Sequence, residues 1–185
     1  MRPEPDEVLH FSEDPTIARF EPHVAATARQ REAYVWAVDA ALAPAYWFPR
    51  QCPRAMAWTV PASTPGDRER ILGPGGGSRV HAVEYGWLDA MRTVSLYAYR
   101  LPAARFRPLG DAAFVSTGAV VPLGPPMPVG DLLALHEEAG IQLRVLPNLW
   151  AFWDEVIVST LDFSGIRLRN ALPRGPRERI RQSSG

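Results

Sequence analysis

Proline is the feature that most constrains how this chain can fold. The sequence holds 19 prolines and 14 glycines in 185 residues. Proline alone makes up about a tenth of the chain, against a usual ~5%. Because proline ends helices and is excluded from the interior of sheets, no helix or strand can run far before it is interrupted. We therefore expect many short elements joined by ordered turns.

The length and the apolar content predict one domain of ordinary size. Apolar residues make up 46% of the chain and charged residues 22%, and a chain of this length buries about 70% of its unfolded surface. The single cysteine excludes a disulfide framework. We expect one domain over residues 6–172, a flexible N-terminus over 1–5 and a disordered basic tail over 173–185.

The net charge is zero but is unevenly distributed. Residues 1–166 carry 14 arginines and 19 acidic residues, a net charge of −5, whereas residues 167–185 carry six arginines and one glutamate, a net charge of +5. The absence of lysine excludes Schiff-base and P-loop chemistry. Since the body is acidic, the tail predicts at most salt-sensitive, sequence-indifferent attraction to nucleic acid, and we expect no specific nucleic-acid partner.

The sequence also bears on location and on metals. The acidic, proline-rich start lacks the apolar core of a signal peptide, and no stretch reaches the ~18 apolar residues of a membrane span. We therefore expect a cytoplasmic protein of bacterial type with no membrane partner. The four histidines are not spaced as metal ligands, so no metal is expected.

Short strands outnumber helices in the periodicity of the chain. The predicted strands cover residues 8–12, 34–38, 55–60, 79–85, 95–101, 113–121 and 141–146. The predicted helical segments cover 16–20, 40–48, 66–72, 87–92 and 129–139, with a final helix after Asn148. This pattern favours an α+β domain with two small, curved, mixed or antiparallel sheets over a doubly wound parallel sheet.

The final helix has the clearest signal. Asn148 is a typical N-cap, and apolar residues follow at helical spacing from Leu149 to Ile157. The predicted buried residues are Phe152, Trp153 and Val156, and the predicted exposed ones are Asp154 and Glu155.

Four polar residues in the first fifty suggest a ligand site. His10 and Ser12 share one face of the first strand by alternation; the alternative is a hydrogen-bonded core histidine. Tyr46 and Arg50 are four residues apart, so one helical face could present both. An aromatic ring and a guanidinium suit a planar base and a phosphate. We predict that the four line one cleft that binds a nucleotide-like ligand.

Two further features each have a structural and a functional interpretation. Cys52 lies between Arg50 and Arg54, where nearby cations could lower the pKa of its thiol, or it is a small buried residue. The glycines at 75–77 could cradle a phosphate, but they precede a strand and phosphate loops open a helix. The favoured interpretation is a flexible turn that acts as a hinge.

The order of these motifs resembles the first half of the ADP-ribosyltransferase-like fold. The segments that carry the resemblance are L-H-F-S at 9–12, V-W-A-V-D at 35–39, A-P-A-Y at 43–46 and A-F-V-S-T-G-A-V-V-P at 113–122. The resemblance implies that NAD is the ligand, that His10 holds its ribose and that Tyr46 is the helix tyrosine. Ala113 stands where the family has its catalytic glutamate, so we expect weak turnover of NAD or none.

The whole chain is similar to an uncharacterised bacterial family of unknown function, through Y-W-F-P-R-Q-C-P-R at 46–54 and R-V-L-P-N-L-W at 144–150. Three functions stay open. The chain is an NAD-using enzyme with a degenerate active site, a module that recognises a nucleotide or a nucleic-acid end without turnover, or a protein that binds a partner through its aromatic segments.

Overall fold

A computed structural model describes residues 3–24, 32–110 and 113–175. The predictions for residues 1–2 and 176–185 lie outside these ranges. Within them the strands are β1 (Glu7–Ser12), β2 (Val35–Ala37), β3 (Arg54–Trp58), β4 (Arg79–Glu84), β5 (Tyr97–Pro102), β6 (Arg107–Leu109), β7 (Ala113–Ser116), β8 (Met127–Pro128), β9 (Gln142–Leu146) and β10 (Asp162–Ile166). The α-helices are α1 (Pro65–Leu72), α2 (Leu88–Thr93), α3 (Leu132–Glu138) and α4 (Trp150–Val156).

The elements are as short as the prolines predict. The longest α-helix, α1, has 8 residues, and none of the helices in the described ranges has the length and hydropathy of a bilayer-spanning segment. The α+β class with small sheets and short helices is confirmed. Among the described residues there are three small sheets rather than two.

The chain folds into two compact units, each built from two stretches of sequence. Unit 1 comprises Met1–Arg50 and Asp89–Ala139, and unit 2 comprises Gln51–Leu88 and Gly140–Gly185. The predicted domain limits at residues 6 and 172 stay a prediction.

Unit 1 holds two antiparallel sheets with strand orders β1-β5-β8 and β2-β7-β6. Their edges are joined where Leu9 and Val38 exchange two backbone hydrogen bonds, both 2.8 Å long. One face of the β1-β5-β8 sheet packs into an apolar core with side chains from β2 and from the loops at residues 20 and 120. The buried members of that core are Val8, Phe20, Val35, Ala37, Tyr99, Leu101 and Val120.

Unit 2 holds a mixed sheet of strand order β10-β3-β4-β9, in which β4 and β9 are parallel and the other pairs antiparallel. Helix α4 lies on the face that carries the buried alanines Ala55, Ala57 and Ala82. Small side chains let the helix approach the sheet closely, which explains why α4 buries Val156 fully although it has only two turns.

The prediction for α4 is correct in part. The helix begins beside Asn148, whose Oδ1 accepts a hydrogen bond from the backbone N–H of Trp150 at 2.9 Å. Val156 is buried and Glu155 exposed as predicted, but Phe152 and Trp153 are only half-buried, and so is Asp154. Trp153 is only half-buried because its ring lies over Gly165 on β10, which is the edge strand of the sheet.

A short 3-10 helix (Leu168–Asn170) follows β10. The residues after it, Leu172–Arg174, contact α4 and are called the strap here. The indole N–H of Trp150 donates to the Leu172 carbonyl at 2.7 Å, and the side chain of Asn148 donates to the Pro173 carbonyl at 3.1 Å. Arg174 stacks on the Trp150 ring and pairs with Asp154 at 2.7 Å. Pro173 and Arg174 thus make defined contacts with Asn148 and α4, and the disorder expected from residue 173 onward stays a prediction.

Candidate functional site

His10 lies in the middle of β1, half-buried, and its ring is held on two sides. The ring centroid is 4.6 Å from that of Phe20, and Nδ1 lies 2.7 Å from the backbone carbonyl oxygen of Trp36 on β2. Because a carbonyl oxygen can only accept, Nδ1 must carry the proton and donate. The hydrogen bond therefore fixes the tautomer in which Nε2 carries the lone pair.

The surroundings of His10 keep its ring neutral. Burial lowers the pKa of His10 below its ordinary value of 6.5, and the charges of Arg50 and His23 lower it further, while the bond to Trp36 acts in the opposite direction. An imidazole with a lowered pKa is uncharged at pH 7. His10 is thus an oriented hydrogen-bond acceptor, and two basic side chains lie close enough to lower its pKa.

Ser12 lies on the same face of β1 but serves the loop that follows. It is buried, and its Oγ accepts a hydrogen bond from the backbone N–H of Asp14 at 3.1 Å. Oδ1 of Asp14 accepts in turn from the backbone N–H of Thr16 at 2.8 Å. These bonds form a side-chain-stabilised turn, so the helix predicted over 16–20 is wrong.

The buried side chain of Tyr99 also stabilises this turn. Its hydroxyl donates to the Asp14 carbonyl at 2.7 Å and accepts from the backbone N–H of Ile17 at 3.1 Å, and its ring is fully buried in the core of unit 1. The residue pattern places Tyr99 on a strand but assigns it no role. The turn after β1 therefore has a fixed shape beside Ser12.

Tyr46 lies on the other face of β1. It ends a 3-10 helix over Ala43–Tyr46, and its ring stacks on that of Phe11 with centroids 6.3 Å apart and an interplanar angle of 10°. Since neighbouring side chains of a strand point to opposite faces, Phe11 and its partner Tyr46 are on the side away from His10. The structure does not bring Tyr46 together with His10 and Ser12.

Arg50 is placed by a different contact from the one that the sequence suggests. The 3-10 helix ends at Tyr46, before Pro49, so no helical face joins Tyr46 to Arg50. Instead, the backbone N–H of Arg50 donates to Oε1 of Glu13, immediately after β1, at 2.7 Å. Arg50 is exposed there, and its charge reaches His10.

His23 and the Trp36 carbonyl are the parts of this site that the residue pattern does not reveal. His23 is thirteen residues from His10 and comes close because its backbone pairs with that of Tyr34, just before β2. A backbone carbonyl leaves no signal in the residue pattern. Among the described residues no three His, Cys, Asp or Glu side chains form a group that could hold a metal ion.

Ala113 opens β7 and is buried. An alanine offers no carboxylate at the position where the ADP-ribosyltransferase-like resemblance expects the catalytic glutamate. Asp111, the nearest acidic residue in the sequence, lies outside the described residues.

Unit 2 holds a separate buried polar group. Cys52 is fully buried, and burial raises the pKa of its thiol to about 12, which the nearby charge of Arg54 opposes only in part. The thiol is therefore protonated at neutral pH, as expected of a small buried residue. The guanidinium of Arg54, also buried, donates to the Cys52 carbonyl at 3.0 Å.

The glycine run after α1 is held by side chains of β9. The amide of Gln142 donates to the carbonyls of Leu72 and Gly76, and Arg144 donates to the Leu72 carbonyl at 2.7 Å. These donors satisfy the carbonyl of Leu72, at the end of α1, and that of Gly76, within the run. The run is thus an anchored turn, which differs from the flexible hinge that the sequence favours.

A family model described as "Family of unknown function (DUF6886)" matches residues 9–171, so the chain belongs to this family. The predicted membership in a family of unknown function is confirmed. No curated protein and no solved structure matches the chain. The ADP-ribosyltransferase-like architecture, the cytoplasmic location and the bacterial origin therefore stay predictions.

Proposed function

We propose that unit 1 of this family member binds a nucleotide-like ligand beside His10. The observation that carries the proposal is the state of the imidazole: its tautomer is fixed by the Trp36 carbonyl, and its pKa is lowered by burial and by the charges of Arg50 and His23. A neutral acceptor among basic side chains suits a ligand that offers both hydroxyl groups and negative charge.

The chemistry of the two principal side chains matches the two parts of a nucleotide. Nε2 of His10 can accept a hydrogen bond from a sugar hydroxyl. The guanidinium of Arg50, which is exposed, can pair with a phosphate through two parallel hydrogen bonds. Ser12 and the turn that it anchors shape the edge of the site. Tyr46 takes no part, because it stacks on the opposite face of β1.

The resemblance to ADP-ribosyltransferases makes NAD the first ligand to test, and Ala113 argues against efficient turnover. In that reaction a carboxylate stabilises the cationic ribose in the transition state. The loss of an electrostatic interaction of this kind costs about 10²–10³ in rate. The proposal is therefore binding without efficient hydrolysis or transfer, and it requires no metal, membrane or specific nucleic acid.

Calorimetric titration of NAD and ADP-ribose into the full chain tests the proposal. His10→Ala and Arg50→Ala should each weaken binding about tenfold or more, because each removes a direct hydrogen bond or a charge-assisted one. Arg19→Ala is the matched control, since Arg19 is exposed and pairs with Glu21. Equal heats in wild type and in the His10→Ala variant would reject the site. Steady release of nicotinamide would favour the enzyme over the binding module.

A further inference from the structure

Strand β10 forms one end of the unit 2 sheet, and no other strand of the described residues pairs with its outer edge. Natural edge strands are usually blocked by lysine, proline or a bulge. The sequence of β10, Asp-Phe-Ser-Gly-Ile, contains neither lysine nor proline, and its register with β3 is unbroken. The side chain of Phe163 is 44% exposed on this strand. The edge is thus open to a further strand.

We propose that β10 pairs antiparallel with β10 of a second copy of this chain. Side chains directly opposite each other in a sheet must point to the same face. Phe163 and Gly165 both face α4, since the Trp153 ring contacts each of them, and Ser164 faces the other way. A two-fold axis at Ser164 satisfies this condition. It places Ser164 opposite its own copy and Phe163 opposite Gly165 of the second copy, twice.

The shapes of the paired residues fit this register. A large side chain opposite a glycine covers the backbone that the glycine leaves bare. Trp153 already fills the space above Gly165, where an added Cβ would lie 2.7 Å from its ring. Phe163 of the second copy would therefore meet an aromatic neighbour, in addition to the edge-to-face contact at 5.6 Å that Trp153 makes within the chain.

The charges on β10 favour a second copy in the antiparallel direction. The strand begins with the exposed Asp162, and Arg167 and Arg169 follow its end. Antiparallel pairing brings the acidic start of one strand beside the basic end of the other, at both ends of the interface. Parallel pairing would place like charges together. The strand is thus complementary to itself, as a two-fold symmetric interface requires.

Sedimentation velocity of the full chain over a range of concentrations provides the first test. We expect a monomer–dimer equilibrium that Asp162→Arg weakens about tenfold, because at each end of the interface the new arginine would lie beside the basic end of the second strand instead of complementing it. The double variant Asp162→Arg/Arg167→Asp should restore the dimer. Val158→Lys is the matched control, since Val158 is also exposed but lies before β10. Thermal unfolding by circular dichroism shows whether each variant is folded.

A cysteine cross-link tests the register itself. In the proposed dimer the two copies of residue 164 have Cα atoms about 4.5–5.5 Å apart, which suits a disulfide. Ser164→Cys should therefore give a covalent dimer under mild oxidation. Asp162→Cys should not, because its copies would lie about 14 Å apart along the paired strands. The native Cys52 is fully buried and can stay in place.

Each result decides the proposal. Three results together support the proposal. Asp162→Arg weakens the dimer, the charge swap restores it, and a cysteine at residue 164, but not at residue 162, cross-links it. A chain that stays monomeric at every concentration overturns it, as does a dimer that Val158→Lys abolishes equally or one that residue 162 cross-links as well as residue 164. Should Asp162→Arg fail to fold, Phe163→Lys replaces it, with loss of the dimer expected.

Discussion

The carboxylate of Glu84, at the end of β4, accepts a hydrogen bond from the backbone N–H of Leu172 at 3.0 Å, across 88 residues of sequence. Its other oxygen accepts from the backbone N–H of Leu149, at the start of α4, at 3.1 Å. Glu84 is only 2% exposed. One buried side chain therefore fixes both the beginning of α4 and the strap that crosses it.

Replacement of Glu84 by glutamine should lower the free energy of unfolding by about 1–3 kcal/mol, because an amide nitrogen cannot accept and a buried N–H loses its partner. Urea denaturation measures the change. The matched control is Glu69→Gln, on the exposed side of α1, which should stay within about 0.5 kcal/mol of wild type. Equal losses in the two variants would show that the Glu84 bonds contribute nothing net.

Gly165→Ala should destabilise the protein by about 1–3 kcal/mol through overpacking. The new Cβ would lie 2.7 Å from the Trp153 ring and 2.6 Å from the end of the Leu168 side chain, and the ring has less freedom to move. Chemical denaturation of Gly165→Ala, Trp153→Leu and the double variant forms a double-mutant cycle. We expect the Gly165→Ala penalty to shrink in the Trp153→Leu background; an unchanged penalty would place the clash elsewhere.

Asp67 should make the stability of unit 2 sensitive to acid. Arg70 donates to its Oδ1 at 2.6 Å and Thr160 donates to its Oδ2 at 2.7 Å, and these bonds hold the pKa of the carboxyl well below its ordinary value of 3.8. The ionised form is thus favoured in the folded state. Its contribution is present above pH 3.8 and is lost as the pH falls through the lower pKa of the folded protein.

Denaturation at a series of acidic pH values tests this expectation. Asp67→Asn should lower stability at neutral pH and flatten the loss of stability below the ordinary carboxyl pKa. Asp89→Asn is the control, since Asp89 is exposed and lies 3.7 Å from Arg92. The expectation fails if both variants keep the acid dependence of wild type.

His10 should act in the same direction at higher pH. Its pKa is lowered from 6.5 in the folded chain, chiefly by burial, so the unfolded chain binds more protons below pH 6.5. Stability therefore falls as the pH drops below 6.5. His136, whose pKa burial also lowers, adds to the same trend. The loss between about pH 7.5 and pH 5.5 should be smaller in His10→Gln than in wild type, and an NMR titration of the ring gives the pKa directly.

Local signals in the sequence locate most elements correctly. Thr64 and Pro65 predict the start of α1, and Oγ1 of Thr64 does accept from the backbone N–H of Asp67. Alternation predicts β1 and its two faces, because a half-buried strand must alternate. These features depend on neighbours within a few residues, which is the range that a residue pattern reports.

The contacts that build the site are beyond that range. A residue pattern does not distinguish the 3-10 turn that ends at Tyr46 from a longer helix, so it assigns Arg50 to the wrong neighbour. His10 depends on the Trp36 carbonyl, 26 residues away, and Tyr99 reaches Asp14 across 85 residues. Likewise, only the sheet order shows that Trp153 packs at an edge rather than in the centre.

The interrupted course of the chain through its two units governs how the protein can be made and divided. The chain leaves unit 1 after Arg50 and returns to it at Asp89. It leaves unit 2 after Leu88 and returns to it at Gly140. During synthesis, all the strands of unit 1 are made before β9. In unit 2, β4 is made early but cannot pair with β9, its parallel neighbour, until β9 has been synthesised. No single cut yields either unit intact. Unit 1 could be expressed alone only if its two stretches were spliced, with a linker replacing residues 51–88.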